Sequence, residues 1–208
     1  TLAIIPTGSG NGLARCLDIP LSVEQAIKAI NQMKTKRIDC IKLNNTVYAS
    51  IAGIGFDALI AREFAKTKTR GFQPYLKLVL QNYPQYKPQN YTLIIDDIEI
   101  NTQALFVSFS NSNQFGFDVE IANNASLCDG LIDVVIVQKP PLPLLFWTAQ
   151  LLFWRKFDNS IYVNAYQAKK VTVKSNNPTG VNLDGEYAEF DTDLTFEIMP
   201  DSLNVIIP

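Results

Sequence analysis

Short runs in which hydrophobic and polar residues alternate fill most of the chain after residue 36. Residues 194–198 show the pattern clearly, because three apolar side chains alternate there with Thr195 and Glu197, as in a strand with one buried face. The runs of this kind are RIDCIKL, TVYASIA, YTLIID, ALFVSFS, LIDVVIV, IYVNAY, KVTVKS, LTFEIMP and NVIIP. Since they follow one another at short intervals, the pattern favours an antiparallel β-sandwich or barrel over a doubly wound parallel sheet.

Helical spacing marks two segments before the strands and three between them. Residues 11–17 can begin a helix, and a second helix is predicted after Ser22, which is placed to cap it with Gln25 three residues on. The three inserts are residues 56–66, the run FQPYLKLVLQNY after Gly71, and residues 140–157. We therefore predict a mainly β, α+β protein in which an antiparallel sandwich carries a few helices.

The insert at residues 140–157, PPLPLLFWTAQLLFWRKF, is rich in large apolar side chains. Its apolar stretch is shorter than the roughly 20 residues that a membrane-spanning helix needs, and it ends in Arg155 and Lys156, so we do not expect it to cross a bilayer. Two interpretations stay open. The helix lies on a membrane surface or roofs a lipid pocket, or it is buried against the sandwich.

Composition restricts the chemistry. The 208 residues include no histidine, which excludes Ser-His-Asp and Cys-His nucleophilic sites and zinc sites built on imidazole. A formal net charge of −2 gives no basic field for a nucleic acid partner. The cysteines, Cys16, Cys40 and Cys128, form no Cys-x-x-Cys pair and favour a reducing, cytoplasmic environment. Any acid or base in a reaction is therefore a carboxylate or a lysine.

The stretch IIPTGSGNGLAR, residues 4–15, places glycines between a short apolar run and a predicted helix. Such a turn lets backbone N–H groups approach an anion, so phosphate is the ligand that it suggests. The alternative is a tight strand-to-helix turn without a ligand.

Two Asp-Gly pairs are further candidates. In VNLDGEYAEF, Asp184 and Glu186 flank Gly185, and a glycine turn can bring two carboxylates together for a metal-phosphate site or a general base. In NNASLCDGLIDVVIV, Asp129 and Gly130 precede a strand. For both pairs the alternative is an ordinary hairpin turn.

The order of these motifs resembles the diacylglycerol kinase family of lipid kinases, which includes sphingosine kinases and bacterial lipid kinases. The matching segments are PTGSGNGLAR, ASIAGIGFDALI, GFQPYLKLVL, SNSNQFGFDVEIANNASLCDGLIDVVIV and NLDGE, and they cover nearly the whole chain. The resemblance implies that residues 1–36 are the end of a nucleotide-binding domain with a connector helix. Residues 37–208 are then the C-terminal, lipid-acceptor β-sandwich. The family's Gly-Gly-Asp-Gly-Thr nucleotide loop is absent from this sequence, so we expect it upstream.

Carried over residue by residue, the resemblance places Ser9 near the nucleotide phosphates, flanked by Gly8, Gly10 and Asn11. Gly12 stands where many bacterial members have an aspartate.

The same resemblance makes Asp184 and Glu186 the catalytic acids, without deciding which is the base for the lipid hydroxyl. A structural Mg²⁺ would be held by Asp129, the carbonyl of Leu131, and Ser126. Serine is a poorer ligand than a carboxylate for this cation, which puts that site in doubt.

The expected function is that of an ATP-dependent lipid kinase, which uses ATP and Mg²⁺ to phosphorylate a hydroxyl of diacylglycerol or a related lipid. Expected partners are the lipid and a membrane surface bound peripherally from the cytoplasm, with no nucleic acid; a homodimer is left open. The alternative is a lipid-binding sandwich without catalysis, and the NAD kinases, distant relatives in fold by resemblance, are a third interpretation. We expect the 208 residues alone to fold without kinase activity.

Overall fold

Two six-stranded antiparallel sheets form the body of the protein, in a computed structural model that describes residues 1–117, 119–154, 156–175 and 177–208. The strands are β1 (Thr35–Leu43), β2 (Thr46–Tyr48), β3 (Ile51–Gly55), β4 (Gln89–Ile95), β5 (Ile98–Ala104), β6 (Phe106–Ser110), β7 (Gln114–Gly116), β8 (Val119–Glu120), β9 (Ile132–Val137), β10 (Val163–Ala168), β11 (Lys170–Lys174), β12 (Thr179–Leu183), β13 (Glu186–Phe190) and β14 (Leu194–Ile206). The helices are α1 (Gly12–Cys16), α2 (Val23–Asn31), α3 (Phe56–Ala65), α4 (Phe72–Asn82) and α5 (Leu142–Phe153), with a 3₁₀ turn at Phe157–Asn159.

Sheet 1 has the strand order β2-β1-β14-β11-β4-β5, and sheet 2 has the order β10-β9-β6-β3-β12-β13. Strands β7 and β8 form a separate hairpin. Within the described ranges, every pairing between these strands is antiparallel. The sandwich predicted from the alternation pattern is therefore confirmed.

The main core lies between the two sheets and is built from alternate positions of their strands. Phe109 of sheet 2 stacks on Phe196 of sheet 1 with ring centroids 3.8 Å apart, and both are fully buried. Tyr48 meets the Phe196 ring edge-on, and its hydroxyl donates to the carbonyl of Phe109 at 2.9 Å. Aromatic packing of this kind fixes how the sheets sit on each other, and truncating such a ring costs about 3–5 kcal/mol.

The run TVYASIA, predicted as one strand, is two strands in different sheets. Strand β2 pairs with β1 in sheet 1, whereas β3 pairs with β6 and β12 in sheet 2, so the chain crosses between sheets at Ala49 and Ser50. Conversely, LTFEIMP and NVIIP belong to the single strand β14, although Asp201 within it has a positive φ of 50°. Hydrophobic alternation alone does not show either feature, because the periodicity is the same within one sheet and across two.

Helices cover the outer face of sheet 2, and their extents lie close to the predicted ones. Strand β9 is buried at every position, since one of its faces lies in the main core and the other lies under a second apolar cluster that includes Phe157 and Ile121. Helices α3 and α4 form a further cluster with Tyr83, against which Leu145 of α5 packs. A near-continuous apolar run such as LIDVVIV is typical of a strand that is buried on both faces.

The N-terminal segment packs on one end of the sandwich. Ala14, Leu17 and Ala26 are buried against Ile38 and Val205. The predicted N-cap is wrong in one detail: Ser22 has the extended backbone of a cap residue, but its side chain makes no cap hydrogen bond. Burial of one face of α2 therefore does more to hold this helix than capping does.

Candidate functional site

One cavity of about 1180 Å³ lies along the outer face of sheet 2 and joins segments that are far apart in the sequence. Its wall contains residues 8–12 and residues 184–186. The remaining wall is mostly apolar and includes Phe56, Ile60, Phe64, Phe72, Tyr75, Val79, Leu105 and Leu145. Arg70 is the one cationic side chain among the described lining residues. The cavity thus has a polar end and a long apolar chamber, a combination that suits an amphipathic ligand.

The glycine loop presents backbone donors to the polar end. Within the described ranges, the N–H groups of Gly8, Ser9 and Gly10 donate no hydrogen bond. The side chain of Asn11 holds the loop by donating to the carbonyl of Gly8 at 2.8 Å, and Asn11 itself has a left-handed backbone. The loop therefore has the exposed donors that an anion requires, and its role with nucleotide phosphates stays a prediction.

The structure explains why residue 12 is glycine here. A Cβ at this position would lie 2.9 Å from the carbonyl oxygen of Gln114 and 3.4 Å from the nitrogen of Gly116. Gly10 lies equally close to this hairpin, since Phe117 donates its N–H to the Gly10 carbonyl at 3.3 Å. An aspartate at position 12 would require β7 to move away from the loop.

Asp184 is part of a tight turn and also holds a distant piece of backbone. Asp184 and Gly185 are the two residues between β12 and β13, both with positive φ (49° and 98°), as in the favoured two-residue hairpin turns. Its carboxylate accepts hydrogen bonds from the N–H groups of Ala49, Ser50 and Ile51, at 3.0, 2.9 and 2.9 Å. The acid therefore fixes the place where the chain crosses between the sheets.

Glu186 begins β13 on the same side of the cavity. It is exposed, and among the described residues its carboxylate has no hydrogen-bond or ion-pair partner. The two predicted acids are thus brought together with the glycine loop around one cavity, but they differ in their surroundings. Asp184 has most of its acceptor capacity occupied by backbone, whereas Glu186 is available to a ligand.

Sequence reasoning missed a third acid in the wall, Asp57 in the first turn of α3. It is 5% exposed, and Asn182 donates to its Oδ2 at 2.9 Å. Burial raises the pKa of Asp57 to about 7, although the hydrogen bond from Asn182 lowers it. The available signal was an acid directly after the apolar run ASIAGIGF, which is unusual for a buried helix start.

The loop predicted to hold Mg²⁺ satisfies its polar groups internally. The Oδ1 of Asp129 accepts the N–H of Leu131 at 3.1 Å, and the N–H of Cys128 points to the hydroxyl of Ser126 at 3.4 Å. In the part of the chain that the structure describes, no three His, Cys, Asp or Glu residues cluster as a metal site. With one carboxylate, already hydrogen-bonded, this donor set does not fit a structural Mg²⁺.

Large apolar side chains are exposed on helix α5 and in the segment that follows it. Trp147 and Trp154 are 62% and 60% exposed, and Ile161 is 85% exposed. Among the described residues, no helix is long and apolar enough to cross a membrane; Arg155, which we expected at the basic end of α5, lies outside them. Leu145 of the same helix lines the cavity. The exposed surface and the apolar chamber are therefore neighbours on α5.

Comparison with known proteins identifies relatives over almost the whole chain. It is 27% identical over 190 residues to a diacylglycerol kinase of Staphylococcus saprophyticus, covering 90% of this chain and 62% of that protein. It is 26% identical over 210 residues to a protein of Pseudomonas syringae named "Probable lipid kinase YegS-like", covering 100% of this chain and 68% of that one. The chain thus spans less than two thirds of the first relative.

Solved structures give the same fold. A crystal structure of a diacylglycerol kinase from Bacillus anthracis str. Sterne superposes with a TM-score of 0.71 at 18% identity, covering 100% of this chain and 67% of that one. Residues 1–43 match the diacylglycerol kinase catalytic domain, and residues 50–207 match the YegS C-terminal NAD kinase beta sandwich-like domain. Because this last match covers most of the sequence, the chain belongs to the YegS C-terminal NAD kinase beta sandwich-like domain family, within the diacylglycerol kinase-like lipid kinases that its motifs indicated.

Proposed function

We propose that this chain serves a lipid kinase reaction, in which the γ-phosphoryl group of ATP is transferred to a hydroxyl of diacylglycerol or a closely related neutral lipid. The single observation that carries the proposal is the shared cavity, which is lined by the glycine loop, by the carboxylates of Asp184 and Glu186, and by many apolar side chains. A lipid acceptor fits the chamber because acyl chains lose water there, at about 25 cal/mol for each Å² of apolar surface buried.

The chemistry needs little beyond positioning and one proton acceptor. The lipid hydroxyl oxygen forms a bond to the γ-phosphorus, the bond from that phosphorus to the β–γ bridging oxygen breaks, and ADP leaves with that oxygen. The hydroxyl proton passes to a turn carboxylate. Glu186 is the better placed acceptor, because Asp184 already accepts three backbone N–H groups. Gly8, Ser9 and Gly10 line the same cavity, and their proposed role is to donate backbone N–H groups to the phosphates of ATP.

A bilayer surface is the proposed source of the lipid. Exposed tryptophans are suited to the boundary between headgroups and acyl chains. Trp147 lies on the helix that also lines the chamber, and Trp154 directly follows that helix. Leu76 and Leu80 of α4 are likewise 40% and 55% exposed. Docking of this side on a membrane would let a lipid enter the chamber without crossing water.

The test is transfer of radiolabel from ATP to diacylglycerol by the intact protein. Glu186→Gln should reduce turnover by about 10²–10⁴-fold, as expected for loss of a general base, and Asp184→Asn should also reduce it because the turn loses its anchor. Asp97→Asn, a change to an exposed acid in the β4–β5 turn, is the matched control and should have no effect. Near-normal turnover in both turn variants would refute the assignment. Lipid binding without transfer would instead favour the non-catalytic module.

A further inference from the structure

Asp57 is a buried acid that the proposed reaction does not use. It lines the cavity at 5% exposure, and within the described ranges no cation pairs with it and Asn182 is its one hydrogen-bond partner. A buried carboxyl group with a single neutral partner is costly to fold, so its presence in the cavity wall points to a role there.

The surrounding backbone is shaped around this carboxyl group. A Cβ on Gly53 of β3 would lie 1.9 Å from Oδ2 and 2.8 Å from Cγ of Asp57, so the glycine provides the space that the group occupies. Asn182 connects the same group to the reacting turn, because its Oδ1 accepts the N–H of Gly185 at 3.0 Å. Asp57 is therefore held in place from β3 and from β12 at once.

The electrostatic surroundings favour the neutral acid. Tyr75 on α4 is the nearby titratable group from the opposite wall, and burial raises the pKa of its phenol, so it stays neutral. Arg70, Asp184 and Glu186 also line the cavity. So does Tyr83, whose pKa burial raises to about 12, so that this phenol is neutral as well. An apolar ligand that displaces water would stabilise the protonated form of Asp57 further, and that form has one O–H to donate.

We propose that Asp57, in its protonated form, donates a hydrogen bond to an ester carbonyl oxygen of a neutral glycerolipid and so positions the acceptor hydroxyl at the Asp184–Glu186 turn. The inference rests on the proposed function, which supplies the lipid. It makes Asp57 a positioning residue that selects ester-linked, uncharged acceptors. It also couples lipid binding to uptake of a proton, because a carboxylate cannot donate this bond.

Calorimetric titration of the chain with dioctanoylglycerol, in buffers of different ionisation enthalpy, tests the coupling directly. At pH 8 the wild-type protein should take up close to one proton for each lipid bound, and its affinity should fall by up to about tenfold for each pH unit above 7. Asp57→Asn should bind with no proton uptake and with a flat pH profile. Gly53→Ala should weaken binding by displacing the carboxyl group, and Asp97→Asn should behave as the wild type.

Binding of dioctanoylglycerol by the wild type without proton uptake at pH 8 would overturn the inference and leave the proposed function intact. Equal proton uptake by Asp57→Asn would overturn it too. Failure of the wild type to bind the lipid at any pH, together with absent phosphorylation by the intact protein, would overturn the proposed function and this inference with it. The wild-type measurement decides the question even where a variant does not fold.

Discussion

At the scale of single residues, substitutions of the two acids at the β12–β13 turn, Asp184 and Glu186, should have different effects on the stability of the protein. Asp184→Asn should lower the free energy of unfolding by about 1–3 kcal/mol. In the wild type the carboxylate accepts backbone N–H groups, whereas the amide of the variant would place an NH₂ donor next to one of them. Glu186→Gln should leave it unchanged within about 0.5 kcal/mol, since the side chain is exposed. Thermal and urea unfolding followed by circular dichroism measure both. Equal destabilisation by the two variants would contradict the different roles drawn from their contacts.

Asp57 should give the stability of the protein a distinctive pH dependence. Its pKa is raised from 3.8 to about 7 by burial, so between these values the folded state holds a proton that the unfolded state has lost. Asp57 therefore destabilises the folded state increasingly as the pH rises. The free energy of unfolding falls by up to about 1.4 kcal/mol for each pH unit from 4 to 7 and then levels off. Asp57→Asn should remove this slope and be more stable than the wild type at pH 8. Urea unfolding at pH 5 and pH 8 would show it; parallel profiles for both proteins would exclude it.

Sequence motifs indicated some of the residues of the candidate site and not others. Ser9, Asp184 and Glu186 stand in short segments whose composition and order are informative, and the structure brings them to one cavity. Asp57 and Asn182 lie in these segments too, but their importance depends on a contact between α3 and β12 that joins positions 125 residues apart. No local pattern encodes such a contact. The position of Gly12 is likewise explained only by the hairpin packed against it.

For whole elements, α5 provides the clearest test. Trp147→Gln should reduce sedimentation of the protein with vesicles of anionic phospholipid containing diacylglycerol by several-fold, because a buried indole contributes about 1.5–3 kcal/mol on transfer from water. The matched control is Ile98→Gln, since Ile98 is 67% exposed but lies on the edge strand of sheet 1. Equal loss in both variants would show a general effect of surface hydrophobicity.

Helices and strands with a strong hydrophobic periodicity were predictable from the sequence. Strands whose conformation depends on pairing with a neighbouring strand were not. Helices α1 to α4 begin and end near the predicted residues, as do β4, β9 and β11. Strands β5, β7, β8, β12 and β13 were not predicted. In β5 the outward positions are polar and exposed, and β12 includes a glycine that faces Tyr187 closely. Pairing with β4 and with β3 gives these segments their conformation, and a single sequence does not contain that information.

For the molecule as a whole, we expect the 208 residues to bind a short-chain diacylglycerol but to transfer no phosphoryl group. The sandwich has its own core between two six-stranded sheets, so folding and acceptor binding need no further segment. The glycine loop supplies donors on one side of the phosphate position only, whereas phosphoryl transfer requires groups on several sides. A radiolabel assay with ATP, Mg²⁺ and dioctanoylglycerol measures this. Lipid phosphorylation by these residues alone would contradict it.

The class of fold and the family followed from the sequence, whereas the architecture of the site did not. Alternation, the scarcity of helices between strands, and the order of motifs sufficed for an antiparallel sandwich of a lipid kinase type. The cavity is lined by residues of sheet 2, of helices α3, α4 and α5, and of the N-terminal segment. The space between these elements depends on side-chain packing across the whole layer, which is set by volume and shape rather than by pattern.

The three hydrogen bonds that Asp184 accepts across the sheet crossing provide a way to observe the turn in solution. The amide protons of Ala49, Ser50 and Ile51 should exchange with solvent slowly, although two of them belong to a connection and not to a strand. A ligand that draws the carboxylate of Asp184 away would expose all three at once. Hydrogen exchange at this short peptide would then report occupancy of the turn from a distant part of the sequence, without a lipid assay.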